Sequence, residues 1–139
     1  MKKTYHLDNL QTLGLDIQLP AIVFLNWDLW AGKTTLSQHI IRDMFWVPWD
    51  ITSPTYTYYN KYTPESLTWD IYHFDLYRIS DYEEFIHIWW EEILDNNTGL
   101  VLIEWPDILW DTYEPDMTIE ISATWGKDER ELIITKKGE

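Results

Sequence analysis

Gly32-Lys33-Thr34 is the first cluster in the chain whose residue types and spacing could do chemistry. It is the second half of a phosphate loop, Gly-x4-Gly-Lys-Ser/Thr. The apolar run Ala21-Ile22-Val23-Phe24-Leu25 precedes it and reads as a buried strand. A helical pattern follows it. In that setting loop and helix-start N–H groups face phosphate oxygens. The lysine adds a point charge at the β- and γ-phosphates, and the threonine hydroxyl reaches Mg²⁺. The competing reading is a strand-loop-helix with an exposed lysine.

A metal needs a further ligand. Leu100-Val101-Leu102-Ile103, the strongest strand signal, ends in Glu104. A carboxylate at the end of a strand beside the loop's own strand can reach the metal directly or through water. A solvated strand-end glutamate is the plainer reading. In Tyr72-His73-Phe74-Asp75-Leu76-Tyr77-Arg78, Asp75 is a candidate to orient water or hold the metal's water shell. Arg78 could pair with it or stabilise phosphate charge. A structural Asp75–Arg78 pair accounts for the pattern equally well. His73 reads as a packing residue, since four scattered His without Cys make no zinc pattern. Thr52-Ser53-Pro54-Thr55 is a hydroxyl-rich loop that could close over a γ-phosphate.

These residues need a scaffold. The apolar spacing of Leu36, Ile40, Ile41 and Met44 predicts a helix over 34–45. Strands are expected at 55–61 and 70–76. Asp81 with Glu84 three residues on reads as a helix start, with the helix running to about residue 87. A short helix is expected at 91–94. Residues 118–123 and 131–135 read as a closing hairpin around the turn Gly126-Lys127-Asp128. Alternating strands and helices followed by an all-β end imply an α/β fold with a mixed sheet and antiparallel C-terminal strands.

The 139 residues suit a single domain, 1–139. There is no apolar run of bilayer-spanning length and no signal-peptide pattern at the start, so no membrane role is expected. Cysteine is absent, which excludes disulfides and Cys-based zinc sites. A cytoplasmic location is expected. The net charge of −14 opposes broad contact with phosphate backbones. Any service to nucleic-acid chemistry is therefore expected to run through a partner or through a small local basic patch.

Together the motifs resemble the TsaE (YjeE) family of tRNA threonylcarbamoyladenosine biosynthesis. That family carries Gly-Asp-Leu-Gly-Ala-Gly-Lys-Thr-Thr, matched here except at two positions by Trp27-Asp28-Leu29-Trp30-Ala31-Gly32-Lys33-Thr34-Thr35. Its Ser-Pro-Thr-Phe/Tyr-Thr, Tyr-His-Phe-Asp-Leu-Tyr-Arg and Ile/Val-Glu-Trp-Pro segments correspond to 53–57, 72–78 and 103–106, in the same order. The resemblance implies a P-loop NTPase three-layer fold. It also implies an ATP hydrolase that is weak alone and depends on partners. Those partners are the TsaB and TsaD subunits, which transfer threonylcarbamoyl to an adenosine beside the tRNA anticodon, so contact with tRNA would be indirect. By position, Thr34 and Glu104 would hold Mg²⁺, and 27–35 would cradle ATP. Lys33 and Asp75 would serve hydrolysis, and Trp105 would lie near the nucleotide.

The departures fall at glycine positions. Trp27 and Trp30 replace family glycines in the loop, and Trp46, Trp49, Trp89 or Trp90, and Trp110 fall in comparable places; Trp105 does not. One reading of the pattern is a gene whose UGA codons mean glycine, translated with a table that reads them as tryptophan; the competing reading is that these tryptophans are genuine, adapted residues. UGG at codons 27 and 30 would exclude the first reading. Two other functional classes compete with the ATPase. One is a scaffold with a degenerate P-loop that binds partners without nucleotide. The other is a small-metabolite kinase, against which the Asp75 motif and the absence of a recognisable lid both weigh.

Overall fold

The computed structural model describes residues 1–6, 14–27, 33–45, 59–63, 68–76, 79, 83, 90–109, 113–123 and 128–138. Seven strands form one mixed sheet. They are β1 (Lys2–His6), β2 (Ala21–Trp27), β3 (Tyr59–Tyr62), β4 (Ile71–Asp75), β5 (Leu100–Glu104), β6 (Met117–Ala123) and β7 (Glu129–Lys136). Their spatial order is β1-β7-β6-β2-β5-β4-β3. The inner strands β6, β2, β5 and β4 run parallel, and antiparallel pairs close both sides.

The apolar runs of β2 and β5 are continuous rather than alternating because both faces of the sheet are covered. On one face Val23, Leu25, Leu100, Leu102 and Ile119 pack with Leu36, Ile40 and Ile41. On the other, Ile22, Phe24, Phe74, Val101 and Ile103 pack with Leu94 and Leu109. The helices behind these contacts are α1 (Lys33–Gln38) with its continuation, and α2 (Trp90–Asp95). The result is the three-layer α/β arrangement expected from the sequence.

Two differences from the sequence reading stand out. The expected helix over 34–45 is α-helical only to Gln38 and continues as a π-helix over His39–Met44. The spacing of four and five residues between Leu36, Ile40 and Ile41 places the same side chains on the sheet in either form, so periodicity does not separate them. β1 was not expected. Only Tyr5 of its five residues is buried, so its apolar signal is weak, and pairing with β7 defines it. The described part of the expected strand at 55–61 is β3; its first four residues lie outside the described residues. So does the expected helix from Asp81, apart from Glu83. The hairpin of β6 and β7 is present, and β6 also pairs in parallel with β2.

At the N-terminal ends of the parallel strands, side chains close the backbone. Asn97 donates to the Ala21 carbonyl (3.1 Å) and accepts from Gly99 N–H (3.0 Å). Asp116 accepts from Ile22 N–H at 2.8 Å. Gly99 is required here by space. A Cβ at that position would sit 2.4 Å from the Asp70 carbonyl oxygen and 2.4 Å from the Trp69 ring.

Candidate active site

The opposite ends of the same strands carry the candidate carboxylates Asp75 and Glu104. In the sheet register Leu25 lies beside Glu104, and Glu104 lies beside Asp75. Side chains alternate along a strand, so Ile71, His73 and Asp75 share one face of β4, while Leu100, Leu102 and Glu104 share the same face of β5. That face is the one packed by Leu36, Ile40 and Ile41 of α1 and its continuation. α1 opens at Lys33, six residues after the last β2 residue. Two carboxylates are thereby set at the carboxyl ends of adjacent parallel strands, beside the strand that leads into the loop. Ligands of open α/β sheets bind at such strand ends.

Glu104 is the centre of the arrangement. It is 1% exposed, and Asp75 is 3% exposed. Ser37 Oγ–H donates to Glu104 Oε1 at 2.7 Å. His73 Nε2 lies 3.2 Å from Glu104 Oε2. That approach is short but off the line of an aligned hydrogen bond. Glu104 Oε2 and both imidazole nitrogens therefore have no hydrogen-bond partner among the described residues. We read the contact as a close electrostatic one, because the distance is that of an ion pair and the angle is not that of a hydrogen bond.

Trp105 follows with φ 56°, in the left-handed region that bulky side chains rarely adopt. Its N–H donates to the Leu25 carbonyl at 3.3 Å, which ties the end of β5 to β2. The indole is partly buried against the core, and the chain turns into a short 3₁₀ helix over Pro106–Leu109. A non-glycine residue held at positive φ beside a buried carboxylate is a form of strain that concentrates at functional sites.

The structure thus brings together Asp75, Glu104 and Trp105 at the strand ends, with the backbones of Lys33, Thr34 and Thr35 opening α1 nearby. The side chains of Trp27, Lys33, Thr34 and Thr35 lie outside the described residues, as do residues 28–32, the hydroxyl-rich loop at 52–55, and Arg78. Two site residues escaped the sequence reading. Ser37 was not singled out, although it sits three positions after Thr34 in the same helix. His73 is buried, as a packing role requires, and also faces Glu104. The period of two from Asp75 could have placed it there.

The residues present fit a magnesium ion. Glu104 Oε2 is a buried carboxylate oxygen with no hydrogen bond among the described residues, so it has room to bind a cation or a cation's water. Among the described residues no three or more His, Asp or Glu form a metal cage. Mg²⁺ on a nucleotide is held by one or two protein groups plus phosphates and water rather than by such a cage.

Comparison with known proteins agrees with this geometry. The profile of the family described as Threonylcarbamoyl adenosine biosynthesis protein TsaE matches residues 3–132. The chain is 38% identical over 120 residues to the tRNA threonylcarbamoyladenosine biosynthesis protein TsaE of Rickettsia felis, covering 85% of this chain and 67% of that one. It is 34% identical over 137 residues to the protein of the same name from a Nostoc species, covering 92% and 81%. The crystal structure of Bacillus subtilis YdiB superposes with a TM-score of 0.55 at 28% identity, over 84% of this chain and 68% of that one. With the profile spanning nearly the whole chain and the described motif residues Asp75, Glu104 and Trp105 lying at one end of the sheet, this chain belongs to the TsaE family of tRNA threonylcarbamoyladenosine biosynthesis.

Proposed function

We propose that this chain binds Mg-ATP at the carboxyl ends of β2, β4 and β5 and hydrolyses it in support of threonylcarbamoyl transfer to tRNA. The partners are the TsaB and TsaD subunits, and contact with tRNA is indirect. One observation carries the reading. Glu104 and Asp75 are both buried and lie side by side in the register, and Glu104 ends β5, the strand next to the one that leads toward Gly32-Lys33-Thr34.

Each residue has a role in that reading. Segment 27–35 would take the phosphates, as backbone N–H groups of such loops do. Lys33 neutralises charge that develops on the β- and γ-phosphates. Thr34 and Glu104 would hold a magnesium ion, which when bound would supply positive charge against the phosphates. Asp75 accepts a hydrogen bond from the attacking water and aligns it for in-line displacement. Trp105, fixed at positive φ next to Glu104, covers the nucleotide side of the pocket and excludes water.

A second reading, a scaffold with a degenerate phosphate loop, is favoured by Trp27 and Trp30. Loop glycines supply φ > 0 and let the backbone approach phosphate. A tryptophan in such a conformation costs about 1–3 kcal/mol. Turnover of Mg-ATP, with and without the TsaB–TsaD complex, separates the two readings when measured for this chain and for its Trp27→Gly/Trp30→Gly form. The proposal requires phosphate release that the partners stimulate in at least the glycine form. No release from either form would leave the scaffold.

A further inference from the structure

We infer that Ser37 and His73 are positioning residues that clamp the Glu104 carboxylate from both sides and so set the affinity of the metal. This inference rests on the metal role given to Glu104 above.

The geometry is specific. Ser37 Oγ–H occupies a lone pair of Oε1 at 2.7 Å. His73 Nε2 sits 3.2 Å from Oε2. A carboxylate held at one oxygen alone still swings about its χ angles. Held at both, it presents a fixed edge, and its remaining lone pairs point one way. All three side chains are buried, with Ser37 wholly so and His73 1% exposed, so water does not substitute readily for either contact. Surface ion pairs leave such choices to solvent. Here the protein makes them.

The two clamps come from different elements, which gives them different tasks. Ser37 belongs to α1, three positions after Thr34, and its hydrogen bond ties that helix to the end of β5. It therefore fixes the spacing between the two segments that supply the metal's ligands. His73 belongs to β4, two positions before Asp75 on the same face, and reaches Glu104 diagonally across the register. It therefore relates the hydrolytic carboxylate's strand to the metal's strand. His73 Nε2 is not in line for a full hydrogen bond, and Glu104 Oε2 keeps acceptor capacity. A metal or its water takes that capacity up, with the imidazole 3.2 Å from the same oxygen. Groups that orient a metal ligand in this way typically change metal affinity by about 10–100-fold when removed.

The test is Mn²⁺ binding, followed by electron paramagnetic resonance at saturating ATP. It is run on the full chain and on its Trp27→Gly/Trp30→Gly form, each carrying Ser37→Ala, His73→Gln or Glu104→Gln. ATP affinity without metal and the thermal midpoint are measured in parallel. The inference predicts that Ser37→Ala and His73→Gln each weaken Mn²⁺ by about tenfold or more. ATP affinity without metal should stay within about twofold. Ser37→Thr, which keeps the donor, should restore Mn²⁺ binding, a result that a merely structural role for the site would not give. If His73→Gln does not fold, the Ser37 pair decides the matter. Should Glu104→Gln abolish Mn²⁺ binding while Ser37→Ala and His73→Gln leave it intact, the clamp is wrong and the metal role of Glu104 stands. Should Glu104→Gln leave Mn²⁺ binding unchanged, or should neither form bind Mn²⁺ with ATP, the metal role itself is wrong and the clamp falls with it.

Discussion

The two ends of the parallel strands treat buried polar groups differently. At the amino ends, Asn97 and Asp116 satisfy backbone groups of β2 and of the turn before β5, and Gly99 packs directly against the Asp70 carbonyl. Each polar atom there has one structural task and completes it. At the carboxyl ends, Glu104 keeps an oxygen without a hydrogen bond, the His73 nitrogens have none among the described residues, and Trp105 sits at positive φ. The first pattern is what stability alone would select. The second is costly in stability, and such costs are retained where a ligand completes the arrangement.

The contrast can be broken or sharpened by substitution. The largest effect is expected at the carboxyl end. Glu104→Gln should lower Mg-ATP turnover of the Trp27→Gly/Trp30→Gly form by about 100-fold or more, because it removes a metal-facing charge rather than a group that orients one. Its thermal midpoint should hold or rise, since a buried charge with an imperfect partner is lost. A fall in midpoint equal to that of an amino-end variant would erase the distinction.

Next comes Gly99→Ala at the amino end. The added methyl meets backbone, which cannot swing away as a side-chain tip can, so a loss of about 2–3 kcal/mol in urea unfolding is expected. Turnover per folded molecule should not change.

Tyr5 tests whether a buried polar atom without a hydrogen bond is by itself a mark of function. Its hydroxyl has no such partner among the described residues, yet it lies on β1 at the sheet edge, with no site residue on its strand. Burial raises its pKa from 10.0 to about 12. An acid whose folded pKa is raised stays protonated longer in the folded state. Its contribution is therefore complete below pH 10 and is lost as pH rises toward 12. The full loss amounts to about 3 kcal/mol, about half of it reached by pH 11. Urea midpoints at pH 9 and pH 11 should diverge less in Tyr5→Phe than in the parent chain, with turnover at neutral pH unchanged. Lost turnover at neutral pH would place Tyr5 in the site after all.

Asn97→Ala should cost about 1–2 kcal/mol, for two hydrogen bonds to backbone groups. The smallest effect is expected at Lys2, whose ion pair with Glu131 at 3.3 Å is solvent-exposed. Lys2→Ala should shift stability by less than about 0.5 kcal/mol, and added salt should reduce the shift further.

How legible these regions were in the sequence follows the same division. The apolar runs 21–25 and 100–103 announced β2 and β5, because strands buried on both faces cannot hide their composition. Glu104 was visible as a polar residue ending such a run, and Asp75 as the carboxylate within Tyr72–Arg78. The amino-end closures were not visible, because Asn97, Gly99 and Asp116 are also ordinary turn residues. β1 was hidden because its only buried residue is Tyr5. The change from α- to π-helix after Gln38 was hidden because both forms bury the same apolar positions. Ser37 was not singled out, and His73 was read only as a packing residue, for a further reason. Their role exists only across elements, one from a helix and one from a strand, and no local pattern carries it.

Trp27 and Trp30 bear on all of this, since they decide whether a well-built strand end still meets a nucleotide. Restoring glycine at both positions should tighten ATP binding by about tenfold or more, from the strain relieved. The most direct measurement is calorimetric titration of ATP, with Mg²⁺ and with EDTA, into the Trp27→Gly/Trp30→Gly chain with and without Glu104→Gln. The account predicts that the glycine form binds ATP more tightly with Mg²⁺ than with EDTA, and that Glu104→Gln removes this difference without abolishing binding in EDTA. Equal dependence on Mg²⁺ with and without the Glu104 carboxylate would contradict it.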